Sequence, residues 1–215
     1  MQFLTKPVYL ILIGICFLLS IKNEEKRPLK TMLPIFFLAL LSVEIVCYYF
    51  KLLNKNNLAI YNLWFPLEFI FYTYWVVACS KSVGFKNIFK WLLPLYAVIV
   101  AIIYFTAKNL YKFNSIAFQL GILLLLPALL YKLYEYLNEP IILNPLKNPI
   151  FWLITGLLFS NLFSMSEFSI QNYLHSHDEG LLKALKKVNI ILTDVLYITI
   201  IAYFILSWKS KRSPT

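Results

Sequence analysis

The sequence predicts an all-α polytopic membrane protein, a bundle of seven transmembrane helices with its N-terminus outside and its C-terminus cytoplasmic. Three observations carry that prediction. The 215 residues are 60% hydrophobic and only 14% charged, with mean hydropathy +0.72, whereas soluble chains hold about a quarter charged residues. The apolar residues fall into seven stretches, each near the roughly 20 residues that cross a hydrocarbon core of about 30 Å. Lysines and turn residues separate the stretches, and that is where most of the excess of 20 Lys and Arg over 10 Asp and Glu sits. So low a charge content excludes disorder, coiled coil and most cytoplasmic enzyme classes.

The first stretch, 3–21, ends at Lys22, Glu24, Glu25, Lys26 and Arg27. It reads as a retained helix rather than a signal peptide. Only Lys6 precedes the apolar run, no Ala-x-Ala site follows it, and Ile15 stands before Cys16 where lipid attachment requires a small residue. The second stretch, 31–50, is closed by Lys51, Asn54, Lys55, Asn56 and Asn57. The third covers 58–79, the fourth 91–107, the fifth 115–131, the sixth 150–165 and the seventh 188–208. Together they make one transmembrane domain over 1–215, in which only the connections 132–149 and 166–187 are long enough to hold structure of their own. Within the latter, the leucine-lysine stretch 181–187 is amphipathic and is expected to lie at the interface or to extend the seventh helix.

Loop charge sets the orientation. The side holding the N-terminus has eight lysines: Lys6, Lys51, Lys55, Lys108, Lys112, Lys183, Lys186 and Lys187. The opposite side has twelve Lys and Arg, so it is expected to be cytoplasmic. Trp75, Trp91, Trp152 and Trp208 fall near the inner helix ends and Trp64 toward the outer face, as indoles at an interface would. The basic tail Lys209, Ser210, Lys211 and Arg212 fits anchoring to anionic headgroups, with no nucleic-acid partner implied. Cys16, Cys47 and Cys79 are too few and too far apart for a disulfide framework. No internal repeat is visible, which weighs against inverted-repeat transporters.

Three acids fall inside predicted spans: Glu44, Glu68 and Asp194. Such residues are costly in the bilayer and usually face the bundle interior or a wet cavity. No lysine or arginine lies at their depth. At least one is therefore expected to carry its proton and to hydrogen-bond to Tyr, Asn or Thr of a neighbouring helix. At 1.5 Å per residue, Glu68 lies about 15 Å from the outer start of its helix, Glu44 about 20 Å from its inner start, and Asp194 about 9 Å below the outer boundary. Asn62, Gln119 and Ser164 join them in the outer half, with Ser160 and Asn161 near the midplane. The inner stretches 122–126, 128–130 and 202–206 carry no polar side chain but Tyr203. This distribution predicts an outward-facing polar and aromatic pocket over a dry cytoplasmic half.

Around Glu68, helical spacing places Trp64, Phe65, Phe71 and Tyr72, with Tyr61 and Trp75 a further turn away. Pro66 removes a backbone hydrogen bond and frees the carbonyl of Asn62. A carboxyl set among aromatic rings at a bend can take a cation or an amine; it can equally tie two helices together as a protonated side chain. Glu44, with Cys47 and Tyr48 on its face, favours tying. Asp194, with Thr193 before it and Tyr197 one turn on, leaves both readings open. The sequence His175-Ser176-His177-Asp178-Glu179 would put two imidazoles on one side of an extended strand, where zinc binds with a carboxylate. A solvated loop closed by Gly180 is the preferred reading.

Absent residues exclude several seven-helix classes. The seventh stretch has no mid-helix lysine for retinal. No span holds the histidines of an intramembrane zinc hydrolase of the progestin-receptor or alkaline ceramidase type. There is no Gly-x-Ser-Gly with a helix histidine for a rhomboid-type protease. No nucleophile–base pair is apparent, so no enzymatic activity and no cofactor are expected.

Two runs carry a resemblance. One is Tyr61-Asn62-Leu63-Trp64-Phe65-Pro66-Leu67-Glu68-Phe69-Ile70-Phe71-Tyr72; the other is Asn148-Pro149-Ile150-Phe151-Trp152-Leu153-Ile154-Thr155-Gly156-Leu157-Leu158. With Asn189 and Tyr197, they resemble an uncharacterised Bacteroidota group of seven-helix inner-membrane proteins. Some members of that group look like the sensor portions of histidine kinases. The resemblance implies a sensor without a borrowed catalytic residue. With no kinase portion before Thr215, its output is expected to pass to a separate cytoplasmic or membrane partner. The expected partners are thus the lipid bilayer, that signalling protein and a small-molecule ligand from the outer side. The candidate ligand-binding or proton-handling residues are Glu68, Glu44, Asp194, Asn161, Asn62, Tyr72, Trp64 and Tyr197. The alternatives are a small proton-linked transporter using Glu68 and Asp194, or an accessory subunit of a membrane complex.

Overall fold

A computed structural model describes residues 2–23, 25, 28–106, 111–138 and 144–212, with side chains at all of these except 2–7, 171, 172, 174–176, 179 and 210–212. All regular structure among them is helical: α1 (Gln2–Ile21), α2 (Leu29–Leu52), α3 (Leu58–Ala78), α4 (Val83–Thr106), α5 (Ser115–Leu137), α6 (Pro149–His177) and α7 (Glu179–Arg212), with a 3-10 turn at Pro145–Lys147 before α6. Five of these stretches are long and apolar enough to cross a membrane: Leu29–Leu52, Val83–Thr106, Ser115–Leu137, Pro149–Ile170 and Gly180–Lys209. That is the make-up of a multi-pass membrane protein. Val8–Ile21 in α1 is a shorter apolar stretch. α3 stands apart from the five by composition: Asn62, Pro66, Glu68, Thr73 and its tyrosines make it less apolar.

Local chemistry sets the boundaries. Asn54, with φ 52°, takes the left-handed position that ends α2, where asparagine is tolerated because its side chain is short and polar. The Lys55 amide then donates to the Phe50 carbonyl at 2.8 Å. The Ser82 hydroxyl accepts from the Phe85 amide and caps α4, so that helix begins eight residues before the expected position 91. Phe85 and Phe89 face inward there while Lys86 and Lys90 face out. Asn114 caps α5 by accepting from Ala117. Asn148 does the same for Ile150, with Pro149 opening α6.

The largest departure concerns the expected connection 166–187. It is helical except at Asp178, whose carboxylate accepts from the Leu181 amide at 2.9 Å and caps α7. Gly180 therefore lies inside α7 rather than ending a loop, and 181–187 extends that helix. Polarity misled here: a helix that stays amphipathic outside the apolar layer reads as a loop by hydropathy alone.

The chain divides into two compact units, one made of Met1–Leu41 and Ile141–Thr215, the other of Ser42–Pro140, with α2 running from the first into the second. In the second unit α3 packs on both α4 and α5. A Cβ at Gly121 would fall 2.1 Å from the Phe69 ring, so glycine alone allows that approach of α5 to α3. Phe65, Phe69, Phe113 and Phe118 build the aromatic contact beside it, with ring centroids 5.2–6.1 Å apart. Phe85 stacks on Tyr131 at 4.0 Å, joining α4 to α5. In the first unit α7 packs on α6 and α1, and Phe37 of α2 meets Phe204 edge-on at 5.8 Å. Gly156 of α6 lies against Thr199, whose Oγ1 would be 1.8 Å from an added Cβ.

The tryptophans need one correction. Trp91 and Trp208 are exposed, as interfacial anchors should be, but Trp75 is fully buried and Trp64 nearly so. Both belong to α3, whose protein neighbours cover them.

Candidate functional site

α2 and α3 bring Glu44 and Glu68 together. The Tyr61 hydroxyl donates to Glu44 Oε2 at 3.0 Å, one of the helix-to-helix ties expected of an intramembrane carboxyl. The Cys47 thiol lies beside the same hydroxyl. Glu44 is buried and Glu68 half-buried, and the two are close enough for their charges to act on each other. Trp64 and Tyr72, four residues to either side of Glu68, lie beside its carboxyl. The expected aromatic surround is therefore partial. Tyr61 turns to Glu44, Phe65 joins the phenylalanine contact with α5, and Phe71 packs on Trp75 at 6.1 Å.

Two carboxylates whose charges act on each other repel more strongly in a low-dielectric layer than in water. A positive charge relieves that repulsion. Uptake of a proton or a small cation is the chemistry this arrangement supports.

Asn62 serves a different purpose. Its side-chain nitrogen donates to the Lys112 carbonyl at 2.7 Å and its oxygen accepts from the Asn114 amide at 3.0 Å. Its own main-chain carbonyl, which proline at 66 leaves without an in-helix donor, accepts from the Tyr104 hydroxyl. Asn62 thus ties α3 to α4 and to the α4–α5 connection.

The remaining expected site residues lie in the other unit. The Asn161 side chain donates to the Leu157 carbonyl of its own helix at 2.8 Å. Tyr197 is buried, meets Tyr9 of α1 edge-on at 5.3 Å, and accepts from the Cys16 thiol through its carbonyl. Asp194 is half-buried, and its Oδ1 has no hydrogen-bond partner.

The histidine pair does not take the extended form in which both rings share a side. The backbone at 175–177 is helical, and two residues along a helix turn through about 200°. The His175 side chain lies outside the described residues. His177 is exposed and stacks on Tyr173 at 4.2 Å. Among the described residues no three His, Cys, Asp or Glu side chains come together as a metal site.

Several polar residues escaped the sequence reading because they sit outside the apolar stretches. Glu25 accepts from Tyr203 and Ser207 of α7 at 3.0 and 3.1 Å. Glu135 accepts from Ser80 at 2.6 Å, from the Lys81 and Ser82 amides, and from Lys132 at 3.0 Å. Glu167, assigned to a loop by its polarity, is buried within α6. Its signal was present: it follows Ser160 and Ser164 at helical steps.

No protein-family model, no curated protein and no solved structure matches the chain.

Proposed function

We propose that the chain is a non-enzymatic seven-span protein of the bacterial inner membrane that senses positive charge at Glu44 and Glu68. A proton or a small ammonium-type cation reaches the pair from the outer side, and the response passes to a separate partner at the cytoplasmic loops. The convergence of two acidic side chains from neighbouring helices, each with aromatic donors beside it, carries this reading. Twelve Lys and Arg against eight support the outward N-terminus. The lengths of α1 and α3, 20 and 21 residues, support counting them as the two further spans. The resemblance of the Tyr61–Tyr72 and Asn148–Leu158 runs to sensor portions of membrane kinases supports signalling over transport.

A proton-linked carrier is the second reading, favoured by the buried acids along α6 and α7.

A single cysteine at position 68, in a chain whose Cys16, Cys47 and Cys79 are replaced by serine, tests the access route. Impermeant thiol reagents should label it from the outer side. Labelling from the cytoplasmic side alone would overturn the reading.

A further inference from the structure

Between α6 and α7 lies a second set of buried polar groups, none of which belongs to the Glu44–Glu68 pair. Gly156, Ser160, Ser164 and Glu167 follow one another along α6 at steps of four, four and three residues, which puts them on one face. That face meets α7 at two points. Gly156 lies against Thr199, and the Ser164 hydroxyl donates to Asn189 Oδ1 at 2.9 Å. The antiparallel register between those points brings Asp194 to the level of Ser160 and Asn161. Beyond Ser164, Glu167 faces Asn189 and Lys186 of α7.

Glu167 is 3% exposed, yet its Oε2 has no hydrogen-bond partner. The Oδ1 of Asp194 is buried without one as well. A carboxylate oxygen is an acceptor only, and burying it with no donor costs several kcal/mol. Asn189 and Lys186 act on the Glu167 carboxyl as well, so on each acid it is one oxygen that lacks a donor. The described residues offer no cluster of three metal-ligating side chains, and the groups of α7 that act on Glu167 are an amide and a lysine. A proton on the carboxyl meets that need with no further ligand.

We propose that the α6–α7 hairpin is a proton-binding element in its own right, with Glu167 and Asp194 as two protonatable acids to either side of the Ser164–Asn189 bridge. By the helical rise, Glu167 lies about 16 Å and Asp194 about 24 Å from the turn at Asp178. Lys186 and Asn189 of α7 face Glu167. The neutral Ser160 and Asn161 share the level of Asp194, and Tyr9 of α1 packs one turn further on against Tyr197. His177, exposed at the end of α6, lies next to the turn at Asp178. The proposal does not depend on the Glu44–Glu68 reading.

Infrared difference spectroscopy of the full chain in lipid nanodiscs, followed through a pH titration, reads protonated carboxyls directly. Glu167→Gln and Asp194→Asn should each remove one titrating C=O component that Glu68→Gln leaves in place. Glu167→Asp, which keeps the acid, should shift that component rather than abolish it, and it serves if the glutamine variant fails to fold. A difference spectrum unchanged by both Glu167→Gln and Asp194→Asn would overturn the proposal. So would components that follow sodium concentration at fixed pH, which would mark a metal-cation site. Failure of the Glu44–Glu68 reading would show separately, as a spectrum indifferent to Glu68→Gln.

Discussion

The hydroxyl of Tyr104 donates to the main-chain carbonyl of Asn62, the acceptor that Pro66 deprives of its in-helix partner. A proline inside α3 thereby becomes a point of attachment for α4. Tyr104→Phe should destabilise the protein by about 1–3 kcal/mol, the usual cost of leaving a buried acceptor unsatisfied. Pro66→Ala restores the N–H that would serve the same carbonyl, so Tyr104→Phe should cost much less in that background. Thermal unfolding in detergent measures both. Equal costs in the two backgrounds would show that the hydroxyl acts elsewhere.

Gly121 and Gly156 are expected to tolerate no side chain. An added Cβ would stand 2.1 Å from the Phe69 ring in one case and 1.8 Å from Thr199 Oγ1 in the other. Gly121→Ala meets the ring near its base, where rotation gives little relief, and should cost about 1–3 kcal/mol. Phe69→Leu should recover part of that loss, because the shorter side chain leaves room. Unfolding midpoints of the single and double variants check it; a neutral Gly121→Ala would mean that α3 and α5 part easily.

Glu135 holds the start of α4 through the Lys81 and Ser82 amides while neutralising Lys132, which is only 4% exposed. Glu135→Ala removes both services and leaves a buried ammonium, at a cost of about 3 kcal/mol. The pair Glu135→Gln with Lys132→Met should cost less than Glu135→Ala alone. The opposite order in a stability assay would remove Glu135 from the turn's support.

Hydropathy made seven helices legible, five of them long and apolar enough to cross a membrane, because burial in lipid demands long runs of apolar residues. It failed where helices continue in polar sequence: the first two turns of α4, the last of α5, and the whole α6–α7 extension. In those segments Phe85, Tyr136 and Leu182 point inward, and Lys86, Lys90, Lys183 and Lys187 lie on the outside of α4 and α7. Pattern, not mean polarity, was the signal there. The freeing of the Asn62 carbonyl was readable from Pro66 alone, whereas its occupant required the position of Tyr104, forty-two residues away. Glu44 and Glu68 were visible as intramembrane acids, but their proximity depends on how α2 meets α3, which no local spacing encodes.

The tie between Tyr61 and Glu44 predicts an asymmetry. Tyr61→Phe should leave the fold nearly intact, at about 1 kcal/mol, yet change how the Glu44–Glu68 pair takes up charge, since Glu44 loses the Tyr61 hydroxyl. Infrared titration of that variant should differ from wild type while its unfolding midpoint stays close. Unchanged titration would place Glu44 outside the charge-binding pair.

The most direct measurement is the emission of Trp64, whose indole lies within reach of the Glu68 carboxyl. In a variant keeping Trp64 and replacing the other four tryptophans with phenylalanine, emission should change as pH is titrated from the outer side of oriented vesicles, and Glu68→Gln should abolish the change. A pH response that persists unaltered in Glu68→Gln would contradict charge uptake at the Glu44–Glu68 pair.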